Sequence, residues 1–93
     1  MQASEYTDEQ LQQDIEAARN ADAVLSHPVM KIAVEILKRR YRRIWEETDV
    51  LDAETRNQQF FKLRVLKEVM DELQALTGKG VVANVIREKR KRG

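Results

Sequence analysis

Between Met30 and Thr48 the apolar residues Met30, Ala33, Val34, Leu37, Tyr41, Ile44 and Trp45 recur at steps of three and four. That spacing lines them along one face of an α-helix and is incompatible with the period-two alternation of a half-buried strand. The gaps hold Lys38, Arg39, Arg40, Arg42 and Arg43, five cations within six positions. One helix therefore carries an apolar seam for a packing partner and a dense positive field beside it. These are the properties of a packing or assembly element that can touch an anion, and they do not resemble an active site.

The rest of the chain has to supply what that seam packs against. Ninety-three residues make a single domain at most, and a domain of this size buries roughly 60–65% of the surface its unfolded chain exposes. Two helices alone would leave much apolar surface wet, so a third helix or a second copy of the chain is expected. One proline and three glycines leave long helices few breakers. No apolar run approaches the roughly 20 residues that span a bilayer, so no membrane partner is expected. No basic segment followed by an apolar one marks a secretory signal at the N-terminus. With no cysteine, disulfides and cysteine-ligated zinc are excluded, and a reducing, cytoplasmic compartment is the simplest expectation.

Punctuation residues divide the chain into helices. Met1 to Glu5 reads as a frayed lead. Thr7-Asp8-Glu9-Gln10 is a capping box, with Tyr6 and Leu11 placed as a hydrophobic staple. Leu11, Ile15, Ala18 and Leu25 carry a thin seam over a helix of about residues 7–25. Ser26 or His27 caps the next helix, and Pro28 fits its first turn. Helix two runs over about 28–48, and a short link leads to Asp52, a good cap for helix three. So short a link favours antiparallel neighbours. Phe60, Leu63, Leu66, Met70 and Leu73 form the main stripe of helix three, widened by Phe61, Val65, Val69 and Leu76. That breadth implies more than one partner helix. Thr77-Gly78-Lys79-Gly80 is expected to end this helix, with Gly78 or Gly80 left-handed past its C-terminus. Val81, Val82, Val85 and Ile86 suit a short helix, with a short strand as the open alternative.

The expected fold is all-α: an antiparallel helical hairpin, helices about 28–48 and 52–77, with the N-terminal helix packed on it and room for a short C-terminal helix. Residues 1–86 form one helical domain and 87–93 a basic tail, frayed on its own. Within the hairpin, Trp45 and Tyr41 face Phe60 and Phe61 near the connecting loop, which predicts an aromatic core plug. The core and interface residues are Leu37, Tyr41, Ile44, Trp45, Phe60, Leu63, Leu66, Met70 and Leu73.

Enzymatic chemistry has little support. His27 is the sole histidine and sits at a turn, where capping roles are common. No catalytic triad or bundle-type metal motif can be assembled, and Gly78-Lys79-Gly80 lacks the frame of a phosphate-binding loop. No catalytic, cofactor or metal residue is assigned, and no cofactor or small-molecule substrate is expected.

The basic segments remain. Residues 1–37 hold seven acids and two bases, a net −5, and residues 38–93 nine acids and fifteen bases, a net +6. Lys38, Arg39, Arg40, Arg42 and Arg43 can be a solvated face, a charge contact with a protein, or a contact with nucleic acid. Glu35, Glu46 and Glu47 stand at spacings that would shield Arg39, Arg42 and Arg43, each such pair contributing about 0.2–0.5 kcal/mol. The tail cations Arg87, Lys89, Arg90, Lys91 and Arg92 face one acid only, so the tail is the first candidate for a polyanion, with helix two behind it. A membrane-surface role for residues 81–86 would rest on a small patch without aromatics.

The order of segments has a family look. It runs from Leu25-Ser26-His27-Pro28 through Tyr41, Trp45 and Thr48, then Asp52-Ala53-Glu54-Thr55-Arg56, Leu63, Leu66 and Leu73, to Gly78-Lys79-Gly80. Over about residues 15–82 this resembles short all-helical proteins of the head-assembly and DNA-packaging modules of tailed bacteriophages and prophages, including small terminase subunits. The resemblance implies a non-enzymatic, self-associating protein of the bacterial host cytoplasm, homo-oligomeric, with DNA bound without sequence preference or an acidic protein as partner. Small terminase subunits often add a helix-turn-helix, which has no counterpart in this sequence. A helical adaptor or regulator without nucleic-acid binding is the alternative.

Overall fold

The computed structural model describes residues 6–93 and is all-α: α1 is Asp8–Ser26, α2 Pro28–Glu47 and α3 Ala53–Arg92. There is no strand among the described residues. The lead at 1–5 lies outside them.

Each helix begins where its local chemistry dictates. The Thr7 N–H donates to Gln10 Oε1 at 3.0 Å and the Gln10 N–H to Thr7 Oγ1 at 3.1 Å, which completes the capping box. The Val29 N–H donates to His27 Nδ1 at 3.1 Å, so His27 is the cap of α2. Pro28 follows at the first helical position, where its missing N–H costs nothing. The Thr55 N–H donates to Asp52 Oδ1 at 3.1 Å and starts α3.

The chain forms two compact units, and α3 contributes to both. In the unit of Ser26–Asp71, α2 pairs with the first half of α3. Arg56 reaches the carbonyls of Trp45 and Thr48, while Lys62 lies over the Tyr41 ring, so numbers rise on one helix as they fall on the other and the pair is antiparallel. The inward residues of α2 are Met30, Val34, Leu37, Tyr41, Ile44 and the capping Thr48, at alternating steps of four and three. Those of α3 here are Gln59, Leu63, Leu66 and Met70, on the same rhythm. This is the seam of a left-handed helix pair.

In the other unit, α1 pairs with the second half of α3. Arg90 meets Asp8, and Gly80 meets Ala18, so this pair is antiparallel too. Its buried residues are small apart from Leu11: Ala21, Gly80 and Ala83. A Cβ on Gly80 would lie 2.0 Å from the Ala18 Cβ, so the two backbones cross at a distance only glycine permits.

Two expectations about helix three need correction. It does not end at Thr77-Gly78-Lys79-Gly80: it continues to Arg92, and neither glycine has positive φ. Two helical glycines cost roughly 1 kcal/mol each relative to alanine. The close approach of Gly80 to α1 offsets that cost. Residues 87–92 are accordingly the last turns of α3, and α1 packs against this extension.

Candidate functional site

The unit of α2 and the first half of α3 buries little. Val34 and Gln59 are its only buried side chains among the described residues. The rest of its seam is half-buried, including Leu37, Tyr41, Ile44, Leu63, Leu66 and Met70. Leu73, further along α3, is half-buried as well. Large apolar residues stand outside. On α3, Phe61, Val65 and Val69 are exposed at successive four-residue steps. With Tyr41, Lys62 and Leu66 they line a shallow groove along the helix pair. On α2, Val29, Ile32 and Ile36 are exposed on the face away from the seam. These three form a second apolar stripe in the sequence, at steps of three and four, shorter than the seam of α2.

The aromatic plug does not form. Phe60 and Phe61 are 61% and 65% exposed, and Trp45 is 40% exposed. Trp45 is instead covered by Arg56, whose guanidinium carbon lies 3.8 Å from the ring centroid. The same guanidinium donates to the Trp45 and Thr48 carbonyls at 3.3 Å each. Arg56 thus closes the C-terminus of α2, a role that no local signal in α2 announces. The adjoining turn is tied down by Asp49, whose Oδ1 accepts from the Leu51 N–H and whose carbonyl accepts from the Asp52 N–H, both at 2.9 Å. It holds Val50 and Leu51 outward, 78% and 89% exposed. The hydrogen bonds of Asp52 to Thr55, side chain first and backbone second, hold its carboxyl below the ordinary value of 3.8.

On the basic face of α2, none of the i,i+4 pairs expected of Glu35, Glu46 and Glu47 closes among the described residues. Lys38 pairs with Glu35 at 3.8 Å. Among the described residues Arg39, Arg40, Arg42 and Arg43 form no ion pair and no side-chain hydrogen bond, and neither do Glu46 and Glu47. Arg39, Arg40 and Arg43, together with Ile36, line a small concavity on the exposed face of the helix.

The C-terminal cations are more engaged than their sequence suggests. Arg90 pairs with Asp8 at 2.9 Å and donates to the Tyr6 carbonyl. Arg87 is half-buried and donates to Asn84 Oδ1 at 3.0 Å, and Lys91 pairs with Glu88 at 3.8 Å. Lys89 and Arg92 alone in this run have no partner among the described residues.

Other chemistry is sparse. Among the described residues no group of three His, Cys, Asp or Glu side chains could hold a metal ion, and no helix is long and apolar enough to cross a membrane. Tyr6, Gln10, Gln13, Asp14, Gly78, Lys79 and Val82 line an open depression between α1 and α3. No protein-family model, no curated protein and no solved structure matches the chain.

Proposed function

We propose that this chain is a non-enzymatic helical assembly protein that works by associating with copies of itself through the open face of the α2–α3 pair. One observation carries the reading: the helix pair buries only Val34 and Gln59 while Phe61, Val65 and Val69 stand in a row outside it. A second copy laid on the groove would complete a four-helix bundle around residues that are now wet.

The resemblance in segment order supports reading that self-association as a part of phage or prophage head assembly or DNA packaging, in the cytoplasm of a bacterial host. The basic residues are then the part of the protein that meets DNA or an acidic partner.

Mass measurement in solution tests the reading. The wild-type chain is expected to be oligomeric at micromolar concentration, and Val65→Glu with Val69→Glu is expected to yield a helical monomer. A wild-type monomer over the whole concentration range, or a double variant that assembles as the wild type does, overturns it.

A further inference from the structure

Deepening that reading, we infer that α2 is a nucleic-acid-binding helix: Arg39, Arg40 and Arg43 hold the phosphate backbone of duplex DNA, and the C-terminal cations are secondary. The three arginines fall within one helical turn and share an exposed concavity floored by Ile36. None has a carboxylate or hydrogen-bond partner among the described residues. Glu35 pairs with Lys38 at 3.8 Å, and Glu46 and Glu47 form no ion pair among the described residues. Arginine in place of lysine supplies a planar fork that can donate to two phosphate oxygens at once.

Two features favour a phosphate backbone over an acidic protein. Among the described residues the concavity is lined by three arginines and a single apolar residue, Ile36, so its lining is dominated by cationic donors. An α-helix, about 10–12 Å across with its side chains, fits a major groove about 12 Å wide. Contacts to phosphate oxygens carry no sequence information, so binding through the backbone is expected to show little sequence preference.

The rival location is weaker on the same criteria. Of the five C-terminal cations, Arg87, Arg90 and Lys91 already have partners within the chain. Binding through Arg90 would first have to break its contacts to Asp8 and Tyr6.

Fluorescence anisotropy of a labelled, random-sequence DNA duplex titrated with the full chain tests the inference. Three backbone contacts predict a loss of affinity of about 40-fold between about 50 and 200 mM salt. The triple variant Arg39→Ala, Arg40→Ala, Arg43→Ala, checked for helicity by circular dichroism, is expected to lose at least tenfold in affinity and most of that salt dependence. A Lys89→Ala, Arg92→Ala variant, which leaves every paired tail cation in place, is expected to stay within about threefold of the wild type. Four results overturn the inference: no binding at low salt, salt-independent binding, equal loss in the two variants, or displacement by polyglutamate as efficient as by unlabelled duplex. The last would assign the site to acidic proteins. If the triple variant unfolds, Arg39→Gln with Arg43→Gln replaces it, with the same loss expected in smaller measure. Mass measured on the same samples separates the two readings. An oligomer that ignores DNA defeats this inference alone, and a monomer that binds DNA defeats the assembly reading alone.

Discussion

Gly78 and Gly80 stand two residues apart on α3 and respond to the same substitution with opposite sign. Nothing lies within 4 Å of a Cβ built on Gly78, which is exposed. Gly78→Ala should therefore stabilise the helix by about 1 kcal/mol through propensity alone. At Gly80 the new Cβ would lie 2.0 Å from the Ala18 Cβ and 3.3 Å from the Asp14 carbonyl oxygen. No flexible side chain is there to yield, so the two helices must separate. Overpacking of this kind costs about 1–3 kcal/mol or more, which outweighs the propensity gain, and Gly80→Ala should lower stability. Urea denaturation of the two variants checks the pair, and stabilisation by both would show that α1 does not cross α3 at Gly80. Asp52 gives a second residue-scale outcome. Its carboxyl titrates below 3.8 in the folded chain because Thr55 donates to the ionised form. A depressed carboxylate contributes stability above its unfolded pKa and loses it as pH falls through the folded value. Asp52→Asn keeps the cap without the titration. Any advantage of the wild type over Asp52→Asn should be constant near neutral pH and shrink below about pH 4. Thermal melts of both proteins across that range read it directly, and an advantage that grew on acidification would refute the assignment.

At the scale of elements, Arg56 joins α3 to the end of α2. Its guanidinium stacks on Trp45 and donates to two carbonyls that the end of a helix leaves without partners. Lysine has the charge but not the fork, so Arg56→Lys and Arg56→Ala should both destabilise the chain, by about 1–2 kcal/mol for alanine. Trp45 is the only tryptophan, so its emission reports the loss of cover without interference. An unchanged spectrum in Arg56→Ala would contradict the stacking. The interaction also shows how far the elements could be read from sequence. The starts of α1, α2 and α3 were legible because Thr7, His27-Pro28 and Asp52 act on backbone groups two or three residues away. The seams were legible because a packing helix repeats its apolar face. The span of α3 beyond Thr77 was not legible. A glycine that ends a helix and a glycine that lets another helix approach look alike until the partner, Ala18, is in place. The cover over Trp45 was hidden for the same reason, since Arg56 is eleven residues away and in another helix. Of the candidate site, the basic cluster itself was visible. Its lack of shielding was not, because pairs worth a few tenths of a kcal/mol do not fix which rotamers win.

For the whole molecule, the question is how so thin a core sustains a fold. Among the described residues the buried apolar side chains are Leu11, Ala21, Val34 and Ala83, and three of them belong to the α1–α3 unit. In the α2–α3 unit one of two buried residues is Gln59, whose Oε1 has no hydrogen-bond partner. A buried amide oxygen left unpaired costs about 1–3 kcal/mol, so this helix pair carries a liability where it most needs apolar contact. Association offsets both deficits if copies cover Phe61, Val65 and Val69, and mass action then links stability to concentration. For a dimer that unfolds to two chains, a tenfold rise in concentration contributes about 1.4 kcal/mol per dimer, about 0.7 kcal/mol per chain. In a domain of this size that raises Tm by roughly 3–6 °C. The wild type should show this shift in calorimetry over two decades of concentration, while Val65→Glu with Val69→Glu should melt lower and at a fixed temperature. A wild-type Tm independent of concentration would mean that each chain is stable alone, and the row of exposed apolar residues on α3 would then have to be held for a different partner.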